Sequence, residues 1–196
     1  MPLGAHKAAI MGVSGVSTGD VVLLHDTDYS DAATASITSG ITSTYGKYIF
    51  KFYNINPATD NVDFGFQVNA TDGADYNDSA ITSTFFYGYH NESGSTSGLD
   101  YDGSYDQAQG TGFQIIAYDI GNGADESTSG TLWLFNPAST VYIKHFYSRF
   151  SDYLQSNYAV DISAAGYIND TTAIDDIQFK MSSGNMDAVI KLYGVA

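Results

Sequence analysis

Cysteine is absent from this chain of 196 residues. That excludes disulfide frameworks, thiolate metal sites and cysteine nucleophiles, and leaves the redox compartment unread. Glutamate is nearly absent as well: Glu92 and Glu126 are the only two, beside eight leucines. Helices draw on Leu, Glu, Lys and Ala, so an extensively helical protein is excluded. Lys and Arg together number seven against 22 Asp and Glu, for a formal net charge of −15. Phosphate binding needs a basic face, which argues against nucleic acid as a partner. No window approaches the roughly 18 consecutive apolar residues of a membrane span, so membrane insertion is not expected.

What is present points one way. Sixteen Tyr, eleven Phe and a large Ser/Thr population suit a pleated surface, and 20 Gly supply turns. A hydrophobic content of 43% is enough for a core and excludes disorder. From Val21 onward a two-residue period dominates. Tyr48, Phe50 and Phe52 share one strand face with Lys47 and Lys51 opposite, and Val62, Phe64, Phe66 and Val68 alternate with Asp63, Gly65 and Gln67. Further runs lie at 81–89, 113–119, 131–135, 141–150, 158–168, 174–181 and 187–195, separated by turn pairs such as Asn56-Pro57, Asp72-Gly73 and Asn136-Pro137. About ten short strands spaced near a dozen residues apart predict an all-β, antiparallel β-sandwich of jelly-roll type over residues 21–196.

Residues 1–20 differ from the rest. They are rich in small residues, nearly uncharged, and lack both alternation and a helical stripe. Pro2 and Gly4 precede the only Lys of the segment, and Gly12, Ser14 and Gly15 interrupt its apolar run, so a cleaved secretory signal is not expected. The segment reads as an extended docking arm ordered against a partner, with Pro2, Leu3, Ile10, Met11 and Val13 as its apolar anchors.

Candidate chemistry is sparse. The densest carboxylate group, Asp100, Asp102 and Asp106 around Gly103, offers oxygen ligands for calcium but fails the EF-hand spacing. Glycoside hydrolysis needs an acid whose pKa is raised by burial, whereas these carboxylates occupy a polar, Gly-rich stretch. His6, His25, His90 and His145 have no ligand spacing, and no nucleophile elbow or phosphate loop occurs. The chain therefore reads as non-enzymatic, without a cofactor unless calcium binds. Its ligand-facing candidates are aromatic: Tyr101 and Tyr105, expected in a loop with the acidic run, and Trp133, flat faces suited to sugar rings or protein hot spots. Tyr87, Tyr89, Tyr118, Tyr142, Tyr147, Tyr153 and Tyr158 offer similar surfaces.

Several stretches together resemble a family of small virion-associated proteins of tailed bacteriophages, many of them marine. They are the opening Met-Pro-Leu-Gly-Ala, Thr38-Ser39-Gly40-Ile41 with Tyr48-Ile49-Phe50, Asn54-Ile55-Asn56-Pro57, Phe64-Gly65-Phe66-Gln67, Tyr89-His90-Asn91-Glu92, Asp106-Gln107-Ala108-Gln109, Leu134-Phe135-Asn136-Pro137 and Phe179-Lys180-Met181-Ser182. The closing Leu192-Tyr193-Gly194 is similar to the last strand of phage tail-fibre domains. The chain departs from the family pattern at Gly46-Lys47, where acidic residues are expected. The resemblance implies a virion protein assembled in the host cytoplasm, with other virion proteins as partners and a homo-oligomeric state, trimeric if it is a fibre. It carries no active-site residues with it. Two placements follow: a short tail fibre or tail-associated protein contacting a host-surface glycan or protein, and a capsid-decorating protein held by its arm. A free carbohydrate-binding or glycoside-hydrolysing sandwich is the third alternative.

Overall fold

The computed structural model describes residues 21–70, 75–77 and 79–196. The expected arm, with Pro2, Leu3, Ile10, Met11 and Val13, lies outside the described residues. Those described form thirteen strands and no helix: β1 (Val21–Ala32), β2 (Ala35–Ile37), β3 (Lys47–Pro57), β4 (Val62–Ala70), β5 (Ile81–Asn91), β6 (Ser97–Tyr101), β7 (Ala108–Gly110), β8 (Gln114–Ile120), β9 (Thr128–Phe135), β10 (Lys144–Leu154), β11 (Tyr158–Ile168), β12 (Ile174–Met181) and β13 (Met186–Val195). All pairings are antiparallel.

The strands build two layers. The short layer runs β2-β12-β4-β8, and the long one runs β1-β13-β3-β9-β10-β11-β5, with β6 and β7 sharing the outer edge of β5. In a jelly roll of eight strands the first, eighth, third and sixth make one sheet, and the second, seventh, fourth and fifth make the other. Here β2, β12, β4 and β8 fill the first set. β3, β5 and β6 fill the second, with the meander β9-β10-β11 standing where a single seventh strand would be. The layers meet at one corner through Leu154 of β10 and Ile120 of β8, and the β1–β2 link joins them at the opposite side. The expected antiparallel β-sandwich is thus present, nearly closed into a barrel.

Alternation explains the packing. Tyr48, Phe50 and Phe52 point inward from β3, while Lys47 and Lys51 face out. Phe179 of β12 faces them from the other layer, its ring 5.6 Å from Phe50, 5.0 Å from Phe52, 6.0 Å from Phe64 and 6.5 Å from Phe66. Phe150 of β10 closes the group, 5.3 Å from Phe52 and 6.2 Å from Phe64. β4 departs from simple alternation because both its faces are covered. Gln67 is fully buried, its Nε2 donating to the carbonyls of Ser79, Thr111 and Gly112 and its Oε1 accepting from the Val68 N–H. That one amide ties two loops to the strand, and every buried polar atom it carries is satisfied.

Phe179→Ala should cost about 3–5 kcal/mol of stability, since it empties the contact between the layers. Phe86→Ala, on the exposed face of β5, should cost less than about 1 kcal/mol. Urea denaturation followed by tyrosine and tryptophan fluorescence measures both. Equal losses would show that Phe179 is not the link.

A tyrosine cleft beyond the edge of the short layer

Because the meander widens the long layer, β11, β5 and β6 run past β8, and their inner face is left open at one end of the sandwich. There Tyr87 and Tyr89 of β5, Asp100 of β6, Tyr118 and Asp119 of β8, Leu154 of β10, and Ser156 and Tyr158 line a cleft of about 330 Å³. A ladder of rings forms its wall. Tyr158 lies 6.0 Å from Tyr89, Tyr89 5.8 Å from Tyr87, and Tyr87 4.9 Å from Tyr118. Tyr105 and Phe85 continue the ladder into the core, 5.2 and 5.9 Å from Tyr118 respectively and 5.0 Å from one another.

Local backbone features aim these groups. The β4–β8 pairing slips between Val62–Ile120 and Phe64–Ala117, which marks a bulge at Tyr118 and Asp119. Asp119 sits there at φ 51, in the left-handed region, and its N–H donates to Asp63 Oδ1 at 3.1 Å. The bulge turns two consecutive side chains, Tyr118 and Asp119, toward the same cleft, which a regular strand cannot do. On β6, Gly98 pairs with Tyr89, and a Cβ at Gly98 would fall 2.7 Å from the Tyr89 hydroxyl. A larger residue would push that ring out of the wall.

The electrostatics are one-sided. Among the described residues no Lys or Arg lies between Phe52 and Ile143, and Asp100 and Asp119 face the cleft. Asp100 accepts a hydrogen bond from the Tyr89 hydroxyl, which raises that phenol's pKa. Burial raises the Tyr118 and Tyr105 phenols further, so these two stay neutral at physiological pH. Burial likewise lifts Asp119 and Asp63 above the ordinary carboxylate range. Such a surface offers apolar ring faces and hydrogen-bond acceptors, and it repels anions. Hollows of about 380 Å³ beside His90 and Tyr153, and about 410 Å³ beside Tyr45 and Tyr142, bring fewer aromatic faces together.

The residues singled out in the sequence do not converge. Tyr101 is on strand β6, not in a loop, 65% exposed, with its hydroxyl bonded to Asp106. Tyr105 is half-buried beneath the cleft. Trp133 lies on the outer face of the long layer, stacked 4.4 Å from Tyr147. Asp100 faces the cleft, Asp102 caps Ser104 through its N–H and hydroxyl at 2.9 and 2.6 Å, and Asp106 is held by Tyr101. No group of three metal-ligating side chains occurs among the described residues, so the expected calcium ligands are not gathered into a site.

The carboxyl that sequence reasoning missed is Asp152 on β10. It is 3% exposed and neither oxygen has a partner of regular hydrogen-bond geometry. Burial pushes it up to about 8; the neighbouring N–H groups of Tyr153 and Tyr118 offset this in part, and the charges of Asp119 and Asp63 add to it. Its signal was there to read: residues 150, 152 and 154 share the inward parity of Phe150 and Leu154.

Asp152 is neutral in the folded state up to about pH 8, whereas an unfolded carboxyl ionises near its ordinary value of 3.8. The native state therefore holds one more proton between those values, and stability falls as pH rises through that window. Melting temperatures at pH 5 and pH 9 should show this decline in the parent, and Asp152→Asn should recover about 2–5 kcal/mol at the higher pH. An identical decline in the variant would refute the assignment. Compared with known proteins, the chain matches no family profile and no curated sequence, and its site rests on this geometry alone.

Proposed function

We propose that this chain is a non-catalytic bacteriophage virion protein, tail-associated, that contacts a host-surface glycan through the tyrosine cleft. The carrying observation is the ring ladder Tyr158-Tyr89-Tyr87-Tyr118 flanked by Asp100 and Asp119 in one open groove. Tyrosine faces pack on the C–H faces of sugar rings, and carboxylates accept from sugar hydroxyls. Among the described residues no cation lines the cleft, which selects neutral or amino-bearing sugars over acidic ones. Support for the particle comes from the resemblance of the sequence to virion-associated phage proteins, and support for an outward-facing module from its surface charge. Asp152, the one strongly perturbed carboxyl among the described residues, lines the separate hollow beside His90 and Tyr153 and not the cleft, and that favours contact over hydrolysis at the tyrosine wall.

A glycan array should give binding confined to neutral or amino sugars. Tyr89→Ala and Tyr158→Ala should each weaken it by about tenfold or more, with Tyr101→Ala little changed. Binding to acidic glycans alone, or none, removes the reading. Deleting residues 1–20 should leave a folded β domain, because β1 begins at Val21, but one that no longer joins the particle. Immunogold labelling of whole particles should mark tails; labels on heads would establish capsid decoration instead.

A further inference from the structure

The outward face of the long layer breaks the usual pattern of an antiparallel sheet, which carries polar residues on its wet side. In one cross-strand row, Leu23 pairs with Tyr193, Tyr193 with Ile49, Ile49 with Trp133, and Trp133 with Tyr147. Five strands thus contribute an unbroken apolar and aromatic line, about 20 Å wide at the usual strand spacing. The next row adds Val21, Val195 and Phe135 around Lys47, and Phe135 stacks 5.7 Å from Tyr147. Val21, Leu23 and Tyr147 are 57%, 49% and 43% exposed.

Charge decides what can cover this face. Neither row contains a carboxylate, in a chain whose net charge is −15. The row on the other side holds Lys191, Lys51 and Arg149, but Lys191 is paired to Asp26 at 2.8 Å and Arg149 to Asp161 at 2.6 Å. Lys51 lies over the Tyr193 ring at 5.6 Å. Lys191 and Arg149 are thus engaged by carboxylates, while Lys47 and Lys51 keep their charge, so the face is slightly positive against an acidic remainder. A second copy of so acidic a chain is repelled least here, where the surface is apolar and neither row carries a carboxylate.

We propose that this face, centred on the Leu23-Tyr193-Ile49-Trp133-Tyr147 row, is the interface of a twofold homodimer. An apolar patch that buries itself against a second copy of the same patch makes an isologous contact, in which the same residues serve both partners. Two rows and their margins cover on the order of 400–500 Å² per copy, the size of a weak and concentration-dependent interface. The dimer places both tyrosine clefts on surfaces away from the contact, because they open on the inner face of each long layer. It does not depend on what the clefts bind.

The test is sedimentation velocity on the full chain from about 1 to about 300 µM, the range in which an interface of this size associates. The mass should rise toward a dimer, and Leu23→Asp and Tyr147→Asp should each weaken association by about tenfold or more while the far-ultraviolet strand spectrum is kept. Tyr101→Asp, on an exposed site outside the row, should leave association unchanged and controls for added charge. A monomer throughout, a trimer, or a dimer indifferent to both row substitutions overturns the proposal. Retention of a neutral glycan by the monomeric protein with loss on Tyr147→Asp would assign the row to sugar and overturns it equally.

Discussion

The contact of Phe179 with Phe50, Phe52, Phe64 and Phe66 is the interaction on which the rest of the structure depends. It is the place where the short layer grips the long one, and each ring is supplied by the inward parity of its own strand. Aromatic pairs of this kind add roughly 0.5–1.5 kcal/mol each beyond the area they bury. With the layers fixed at this point, the remaining strands of the long layer are free to extend past the region that the short layer covers. The cleft exists because that cover ends at β8.

Replacing one strand by the meander β9-β10-β11 has two effects that point in opposite directions. On the inner side it exposes a strip of β5 and β11 where tyrosines form a wall without being sealed into the core. On the outer side it broadens the sheet, giving room for an apolar row several strands wide. The two surfaces differ in chemistry as well as position. One is flanked by carboxylates and rejects anions, whereas the two apolar rows of the other carry none. A single change in strand number thus separates a surface suited to small polar ligands from one suited to a flat partner.

The alternation at Tyr48-Phe50-Phe52 and Val62-Phe64-Phe66-Val68 made the fold class readable, and the bounds at 158–168 and 174–181 agree with β11 and β12. The strands that escaped notice did so for physical reasons. β2 and β7 are three residues each, too short to show a period, and β6 is exposed along its whole length because only β5 pairs with it. Asp100 and Tyr101 consequently read as a loop. The site was harder to find, since it depends on long-range pairings: a bulge at Tyr118-Asp119 is set by the register of β4 against β8, which no local pattern reveals. Tyr89 and Tyr158 were visible only as two among many strand tyrosines, and their meeting required β5 and β11 to be neighbours.

The outer edge of β6 has further meaning. Its backbone N–H and C=O groups on that side have no strand beside them among the described residues, and such an edge invites a foreign strand to join. Asp100 within it and Asp102 and Asp106 just beyond set negative charge along the approach, and an incoming copy of the same edge would bring the same charges with it. A run of aspartates that resembles a half-built metal loop thereby sets like charge against strand addition at the unfinished border of the sheet.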